Sequence, residues 1–452
     1  MKMQTNEAIY DAKTLGTGKM LVLGLQHMFA MFGATVLVPI LVQGYGLPLS
    51  IQTTLFFAGL GTLFFHLCTK MKIPAFLGSS FAYLGGFAAM GNMDAGIYAG
   101  MEASEKLQYA CGGVVVAGLL YLVLAGVIKV VGVRKVMRFL PPVVTGPIII
   151  GVGLHLAPSA INNCASNWWI ALVAIVVVII CNIWGKGMIK IIPILLGVLA
   201  SYLVAAVSGN VDFSGVRDAA WIGLPFQMQD TVFSLFSDKV DSGLLLSSIL
   251  TIVPIAFATM MEHVGDISAI GGTIGKDLIE DPGLHRTLIG DGVGTAIAAL
   301  FGAPANTTYG ENTGVLALTK VYDPLVVRIA AYFAILLSFC PKFAALITAM
   351  PSATIGGVSI ILYGMIAAIG IRNMVENHTD FQKSRNVIIA ALIMGLTIGV
   401  EYSDIGAIAI GNVSLSGLAV ASIVGIILNA ILPGGREEYM PNEENSGSLG
   451  KF

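Results

Sequence analysis

Three carboxylates lie within apolar stretches of the chain, where a charged side chain is costly and usually functional. Glu262 and Asp266 are four residues apart in TIVPIAFATMMEHVGDISAI, so they share one face of a helix. Glu311 lies in NTTYGENTGVLALTK, residues 306–320. Carboxylates with no basic neighbour in sequence suit proton coupling, and they also suit a ligand that offers N–H donors. We therefore expect these three acids to form a binding and proton-coupling site inside a membrane.

Other polar residues in apolar stretches are weaker candidates. His27 and His263 fit a hydrogen-bonded packing role better than a proton carrier, and Asp291 fits a functional acid and a packing residue equally well. The five cysteines are scattered and form no CxxC pair, so we expect small apolar residues rather than a metal or redox site. They are Cys68, Cys111, Cys164, Cys181 and Cys340.

The composition indicates an integral membrane protein. Of 452 residues, 56% are hydrophobic and 11% are charged, and the mean hydropathy is +0.85. Soluble globular chains carry about 25% charged residues. The formal net charge of -2 gives no indication of nucleic-acid binding. The polar N-terminus precedes an apolar run long enough to span a bilayer, so we expect no cleavable signal peptide.

Apolar runs of about 20 residues predict bilayer-spanning helices. They lie near 19–42, 50–68, 107–128, 140–157, 167–184, 190–208, 244–265, 287–302, 325–340, 351–371, 386–401 and 413–433. Segments 74–92 and 307–320 are broken by Gly, Ser and Thr; counted as half-strand, half-helix spans, they bring the total to about fourteen. With both termini in the cytoplasm, roughly 20 of the 24 Lys and Arg residues are cytoplasmic, as the positive-inside rule expects.

The two broken segments resemble each other. GSSFAYLGG and NTTYGENTG each place two hydroxyl residues before an aromatic, Phe81 or Tyr309. Seven spans per half would make the halves inverted repeats, and interrupted helices in such repeats mark the substrate site of many secondary transporters. We therefore expect an all-α polytopic membrane protein with about fourteen spans in 7+7 inverted repeats. Short antiparallel strands, Ser79–Phe81 and Thr307–Tyr309, are expected in interrupted spans 3 and 10, each leading into a half-helix.

Several long motifs resemble the nucleobase–ascorbate transporter family, with closest likeness to its bacterial uracil:proton symporters. They are LQHMFAMFGATVLVPIL, KIPAFLGSSFA, EHVGD followed by DPGLHR, and GENTGVLALTK. The resemblance extends from about Leu21 to Pro433. It implies a core domain of residues 1–133 and 244–347, holding spans 1–4 and 8–11. A gate domain would comprise 134–208 and 348–434, with an extracellular loop at 209–243 and a cytoplasmic tail at 435–452, and no soluble domain appended.

The resemblance also assigns roles to individual residues. It implies that Glu262 and Glu311 hold the base, that Phe81 stacks on it, and that Tyr309 and the Gly310 backbone lie beside it. Tyr363 matches a gate-domain aromatic. The implied activity is import of a nucleobase across the cell membrane, with the proton as coupling ion and with neither metal nor cofactor. A homodimer through the gate domain is implied as well.

Asp266 departs from the pattern of the uracil carriers, which often have His at this position. Purine carriers of the family tend to have Asp there, but they tend to have Gln at the Glu311 position. Because Glu311 should contact the base, we expect uracil, with xanthine or urate as the alternative. Uracil presents N–H donors to carboxylates, carbonyl acceptors to half-helix amides and a flat face to Phe81.

Three other function classes fit the sequence less well. An anion transporter of the same broad fold would be expected to line its site with cationic side chains, whereas this chain offers three acids. An intramembrane protease would need a catalytic pair such as Asp266 and Asp291, but nothing positions a scissile peptide, and we expect no enzyme. A passive channel differs from a symporter in its independence of a pH gradient.

Overall fold

The computed structural model describes residues 8–91, 100–132, 141–236, 240–406, 408–410 and 413–434, and most of the chain in these ranges is helical. The helices are α1 Thr17–Gly44, α2 Ile51–Cys68, α3 Leu84–Gly91, α4 Ala103–Val131, α5 Pro142–Ala165, α6 Trp168–Ile183, α7 Met188–Ile191, α8 Pro193–Val207, α9 Ser214–Asp218, α10 Ser242–Ile274, α11 Leu284–Leu300, α12 Gly310–Thr319, α13 Pro324–Ser338, α14 Pro341–Thr348, α15 Ser352–Glu376, α16 Ser384–Glu401 and α17 Gly417–Ile431. The strands are β1 Leu77–Ser79, β2 Asn306–Thr308, β3 Ile408–Ile410 and β4 Val413–Leu415.

Seven of the helices in the described ranges are long and apolar enough to cross a membrane: α1, α2, α4, α5, α10, α15 and α16. The pair α13 and α14 passes the same criterion together, with a bend of 87° between them. Helices α6, α8 and α17 are apolar but shorter. A mostly helical chain with this many apolar helices is an integral, multi-pass membrane protein.

Side chains at the helix starts explain where several of these helices begin. The side chains of Ser50, Asn167, Asp241 and Asp323 accept hydrogen bonds from backbone N–H groups in the first turns of α2, α6, α10 and α13. These N–H groups have no partner within the helix, and a capping oxygen satisfies them.

The helices pack in two sets. In the first, α4 packs on α10 and α11, while α13 packs on α1 and α2. In the second, α5 packs on α15 and α16, α6 packs on α8 and α15, and α16 packs on α17. Small residues permit close approach between α5 and α15. A Cβ added at Gly370 would lie 2.6 Å from the Gly146 carbonyl oxygen, so any larger residue would separate the helices.

Helices of the first half of the chain make the same contacts as their counterparts in the second half. The counterparts of α1, α2, α4, α6 and α8 are α10, α11, α13, α16 and α17. The contact of α2 with α13 corresponds to that of α11 with α4, and α1 with α13 corresponds to α10 with α4. The contact of α6 with α8 corresponds likewise to that of α16 with α17. The two halves of the chain therefore make the same set of neighbours.

Strands β1 and β2 pair antiparallel, with Leu77 opposite Thr308, Gly78 opposite Thr307 and Ser79 opposite Asn306. They lie two residues and one residue earlier than the segments expected from the sequence. The ladder continues at both ends, since the Tyr309 N–H donates to the Phe76 carbonyl at 3.0 Å and the Ser80 N–H donates to the Ala305 carbonyl at 2.8 Å. This two-stranded sheet is buried throughout and joins the two halves of the chain.

A second antiparallel pair, β3 and β4, precedes α17. The sequence led us to expect the last span to begin near residue 413, but α17 begins at Gly417 because residues 413–415 are in the strand pair. Several sequence expectations lie outside the described residues. They include the cytoplasmic tail at 435–452, the domain boundary at 133/134 and the basic residues Arg134, Lys135, Arg138 and Lys239.

Candidate functional site

A cavity of about 490 Å³ lies between the two helix sets. Its polar wall comes from α10, the β2–α12 segment and the residues that lead into α3: Phe81, Ala82, Ala258, Glu262, Asp266, Thr307, Thr308, Tyr309, Gly310 and Glu311. Its opposite wall comes from α5 and α15 and is apolar except at one end: Ile149, Val152, Leu362, Met365, Ile366, Ala368, Ile369 and Arg372. The ionisable groups of the first wall therefore face a hydrophobic surface.

The structure brings together the three acids that the sequence singled out. Glu262 and Asp266 project from successive turns of α10, and Glu311 lies in the first turn of α12. All three line the cavity. Asp266 already has a partner, since the Thr308 hydroxyl donates to its Oδ2 at 2.6 Å. Asp266 is therefore fixed by strand β2.

The start of α12 places backbone donors beside Glu311. The N-cap residue Tyr309 makes no side-chain capping bond, and the Glu311 carboxylate accepts from its own backbone N–H. A Cβ added at Gly310 would meet no protein atom within 4 Å, so the space beside this residue is open. A helix N-terminus with free N–H groups attracts carbonyl or anionic oxygens. The site therefore offers hydrogen-bond donors next to carboxylate acceptors.

Tyr309 holds the two strands together. Its hydroxyl donates to the Ser79 carbonyl oxygen at 2.8 Å, and its ring lies over Gly78. A Cβ at Gly78 would be 2.3 Å from the ring, so only glycine fits there. The Tyr309 side chain is 5% exposed and points into the strand pair. Its contribution to the cavity is therefore positional, while Phe81 at the entry to α3 is only partly buried.

A buried polar layer lies outside the cavity lining. Asn312 donates from Nδ2 to the His27 carbonyl oxygen at 3.0 Å, which connects α12 to α1. His263 Nδ1 lies 2.9 Å from Asp291 Oδ2, and both side chains are fully buried. The sequence was compatible with a packing or a functional role for three of these residues. They lie one layer away from the cavity: His27, His263 and Asp291.

Tyr363 is also placed away from the cavity. It is 1% exposed, and its hydroxyl lies near those of Tyr45 and Ser159. Its neighbour Leu362 lines the cavity instead. Arg372, which the sequence did not single out as a site residue, lies at one end of the cavity with a side chain that is 68% exposed. Arg372 lies three residues after Ile369 and seven after Met365. This spacing places it on the same face of α15 as those two lining residues and could have identified it from the sequence.

No group of three or more His, Cys, Asp or Glu side chains in the described ranges could hold a metal ion. The cavity lining provides carboxylates, backbone N–H groups and an aromatic ring, which suit a small planar ligand with both donors and acceptors.

The sequence model of the xanthine and uracil group described as "Permease family" matches residues 18–406. The chain belongs to this permease family. The membership expected from the sequence motifs is thereby confirmed, and the permease is a transport protein rather than an enzyme.

Curated relatives match almost the whole permease. It is 40% identical over 442 residues to the uracil permease of Bacillus caldolyticus, covering 95% of this chain and 96% of that protein. It is 39% identical over 433 residues to the uracil permease of Bacillus subtilis, covering 93% and 94%. It is 36% identical over 421 residues to the putative pyrimidine permease RutG of Escherichia coli, covering 91% and 89%.

Solved structures share the fold of the permease. The transmembrane domain of the cyanobacterial bicarbonate transporter BicA matches with a TM-score of 0.61 and 15% identity, covering 94% of this chain and 99% of that one. SLC26A9 matches with a TM-score of 0.63 and 12% identity, covering 93% and 66%. At such low identity the likeness concerns the fold alone.

Proposed function

We propose that this permease imports uracil by proton symport. The observation that carries the proposal is the convergence of Glu262, Glu311 and the N-terminus of α12 on one cavity, in a chain about 40% identical to uracil permeases. The two N–H groups of uracil would donate to carboxylates, while its carbonyl oxygens would accept from backbone N–H groups near Gly310. Phe81 would cover one face of the ring.

The preformed site favours uracil over analogues that lack one of these groups. A buried carboxylate or amide that loses its partner is left unsatisfied, which costs about 1–3 kcal/mol. Thr308 holds Asp266 through one of its two carboxylate oxygens, so we assign the base to Glu262 and Glu311. This arrangement supports the uracil assignment despite Asp at the position where related carriers have His.

We infer that transport proceeds by alternating access of the core domain against the gate domain. The cavity lies between the two helix sets, and the matched packing of the two halves supports fourteen spans in 7+7 inverted repeats with both termini in the cytoplasm. The exposed Arg372 end of the cavity then faces the cytoplasm, so this conformation is inward-facing. In this proposal the permease lies in the plasma or inner membrane and forms a dimer through its gate domain.

The proposed coupling uses protons that bind the clustered acids. Glu262, Asp266 and Glu311 lie in one cavity, and the one basic side chain in its lining, Arg372, is mostly exposed. A proton bound to one of these acids would lower the negative charge of the site by one, and the neutral base would supply N–H donors to the other carboxylates before the site crosses the closed state. No cofactor is required for this cycle.

Uptake into proteoliposomes tests the proposal. With an acidic exterior and a neutral lumen, labelled uracil should accumulate, and Glu311→Gln or Glu262→Gln should abolish accumulation while each protein remains folded and inserted. Glu280→Gln, at an exposed position in the short helical turn Ile279–Gly283, is the matched control and should transport normally. Normal uptake by Glu311→Gln would overturn the site assignment.

Competition by unlabelled bases separates the alternatives. Uracil should compete best; stronger competition by xanthine or urate would identify a purine carrier instead. Uptake that equilibrates without accumulation, independent of the pH gradient, would identify a passive channel.

A further inference from the structure

A contact between α3 and α5 closes the cavity at the end away from Arg372. Helices α5 and α15 are antiparallel, since Gly146 lies against Met374 and Gly356 lies against Cys164. Moving along α5 from the cavity-lining Ile149 and beyond therefore leads away from the Arg372 end. The last lining residue on α5 is Val152, and Ala82 is the last one before α3, so the next helical turn on each side lies beyond the lining.

The residues at this turn are His155 and Gly85. His155 follows the lining residue Val152 by three positions, about 4.5 Å along the helix axis. Gly85 follows the lining residue Ala82 by three positions as well. A Cβ built at Gly85 would lie 3.4 Å from His155 Cδ2 and 3.4 Å from Leu418 Cδ2, which is van der Waals contact. The imidazole thus packs directly against α3, the half-helix that begins at the site.

The carboxylate of Glu401 lies beside the His155 imidazole. Its Nδ1 is buried without a hydrogen bond and lies 3.8 Å from Glu401 Oε2. The two side chains are 6% and 18% exposed. Glu401 also accepts from the Gly417 N–H at the start of α17. The Tyr402 hydroxyl donates to the His155 carbonyl oxygen and fixes the backbone here.

The other groups around His155 are neutral or belong to the cavity. Helices α3 and α17 present Gly85 and Leu418, which do not titrate. Tyr45, at the end of α1, and Tyr363 on α15 lie near Ser159, one turn further along α5. On α10, Glu262 lies on the cavity side. Glu401 is therefore the charged partner in reach of the imidazole among the described residues.

We propose that His155 and Glu401 form a proton-binding site at the outer gate, separate from the substrate site. This inference rests on the proposed function, which places the Arg372 end of the cavity in the cytoplasm and therefore the His155 end on the outer side. Opening of the outer side separates α3 from α5 and exposes the imidazole to external water. A proton from that water binds Nδ1, and the resulting imidazolium pairs with the Glu401 carboxylate when the gate closes.

The charge pair determines how strongly the closed gate is favoured. With a neutral imidazole, closure buries the Glu401 charge without a cationic partner, whereas with an imidazolium it buries an ion pair. An acidic exterior therefore favours outer closure and thus the inward-facing state. An unperturbed histidine titrates near pH 6.5, within the range where external acidity varies.

Thiol accessibility measures the gate without any need for substrate. Ala82→Cys places a thiol in the cavity, where a membrane-impermeant maleimide added outside reaches it only when the gate opens. Its labelling in cells is measured against the parent protein and normalised at each pH to Ser214→Cys, an exposed position in the 209–243 loop. We expect labelling roughly threefold slower near pH 5.5 than near pH 7.5.

The gate variants decide the outcome. Adding His155→Gln to Ala82→Cys should make labelling independent of pH. Adding Glu401→Gln instead should have the same effect, because it removes the other member of the pair. His378→Gln, in the exposed turn after α15, should leave the pH dependence intact. An unchanged pH dependence in either folded gate variant would overturn the proposal. Because labelling requires no uracil, failure of uracil uptake would contradict the proposed function without affecting this result.

Discussion

Thr308 donates its hydroxyl hydrogen to Asp266 Oδ2 across 2.6 Å, which joins strand β2 to helix α10. Asp266 is the residue at which the sequence departs from the pattern of the uracil carriers it resembles. The bond gives that carboxylate a partner within the protein, so the residue at the point of departure is tied to strand β2 while it lines the cavity.

Thr308→Val should lower the thermal stability of the permease, because it removes a bond worth about 1–3 kcal/mol and leaves the Asp266 carboxylate short of a donor. The midpoint of unfolding in detergent is the measurement. Thr307→Val is the matched control, since the Thr307 hydroxyl is buried without a hydrogen-bond partner. Equal midpoints for the two variants would show that the Thr308 bond does not stabilise the fold.

Gly310→Ala should weaken uracil binding without loss of stability. Its Cβ would meet no protein atom within 4 Å, yet Gly310 lines the cavity where the base would approach the backbone. The control is Gly314→Ala on the same helix, which also meets nothing within 4 Å and is not among the lining residues. We expect KM for uracil to rise only in Gly310→Ala. A parallel rise in both variants would argue against backbone recognition at Gly310.

Gly78→Ala should destabilise the centre of the fold. The new Cβ would lie 2.3 Å from the Tyr309 ring, and an overpacked core site costs about 1–3 kcal/mol. Displacement of the ring would also break its hydrogen bond to Ser79. Gly44→Ala, in open space at the end of α1, is the comparison. Equal yields of folded, monodisperse protein for both variants would contradict this prediction.

Phe81→Ala should raise KM for uracil about 2- to 12-fold, the range that corresponds to an aromatic contact of about 0.5–1.5 kcal/mol. Phe81→Tyr keeps the ring and should restore KM close to its original value. Measurement of initial uptake rates over a range of uracil concentrations distinguishes the two variants. An unchanged KM in Phe81→Ala would exclude stacking at this position.

The sequence predicted the cavity acids well because their chemistry is local. Glu262 and Asp266 share a helix face by spacing alone, and an acid in apolar sequence is conspicuous wherever it lies. The Thr308–Asp266 bond and the His155–Glu401 pair could not be predicted in this way. Their partners are 42 and 246 residues apart, so only the packing of whole helices brings them together.

Two other features show what local patterns omit. Tyr363 matches a gate-domain aromatic in the sequence, but it lies on the buried side of α15, while its neighbour Leu362 faces the cavity. The β3–β4 pair had a signal that was not used: IAIGNVSL places Gly-Asn between two alternating runs, a common hairpin pattern. Its apolar residues resembled the start of a spanning helix instead.

The β1–β2 ladder imposes an order on biosynthesis. Its strands are separated by roughly 230 residues, so β1 leaves the ribosome on the order of ten seconds or more before its partner. Unpaired strand backbone cannot be left in contact with lipid. During that interval the first half of the chain needs water, a chaperone or the insertion machinery to cover β1. Synthesis of the second half then completes not only the cavity and its proposed substrate site but also the membrane insertion of the first half.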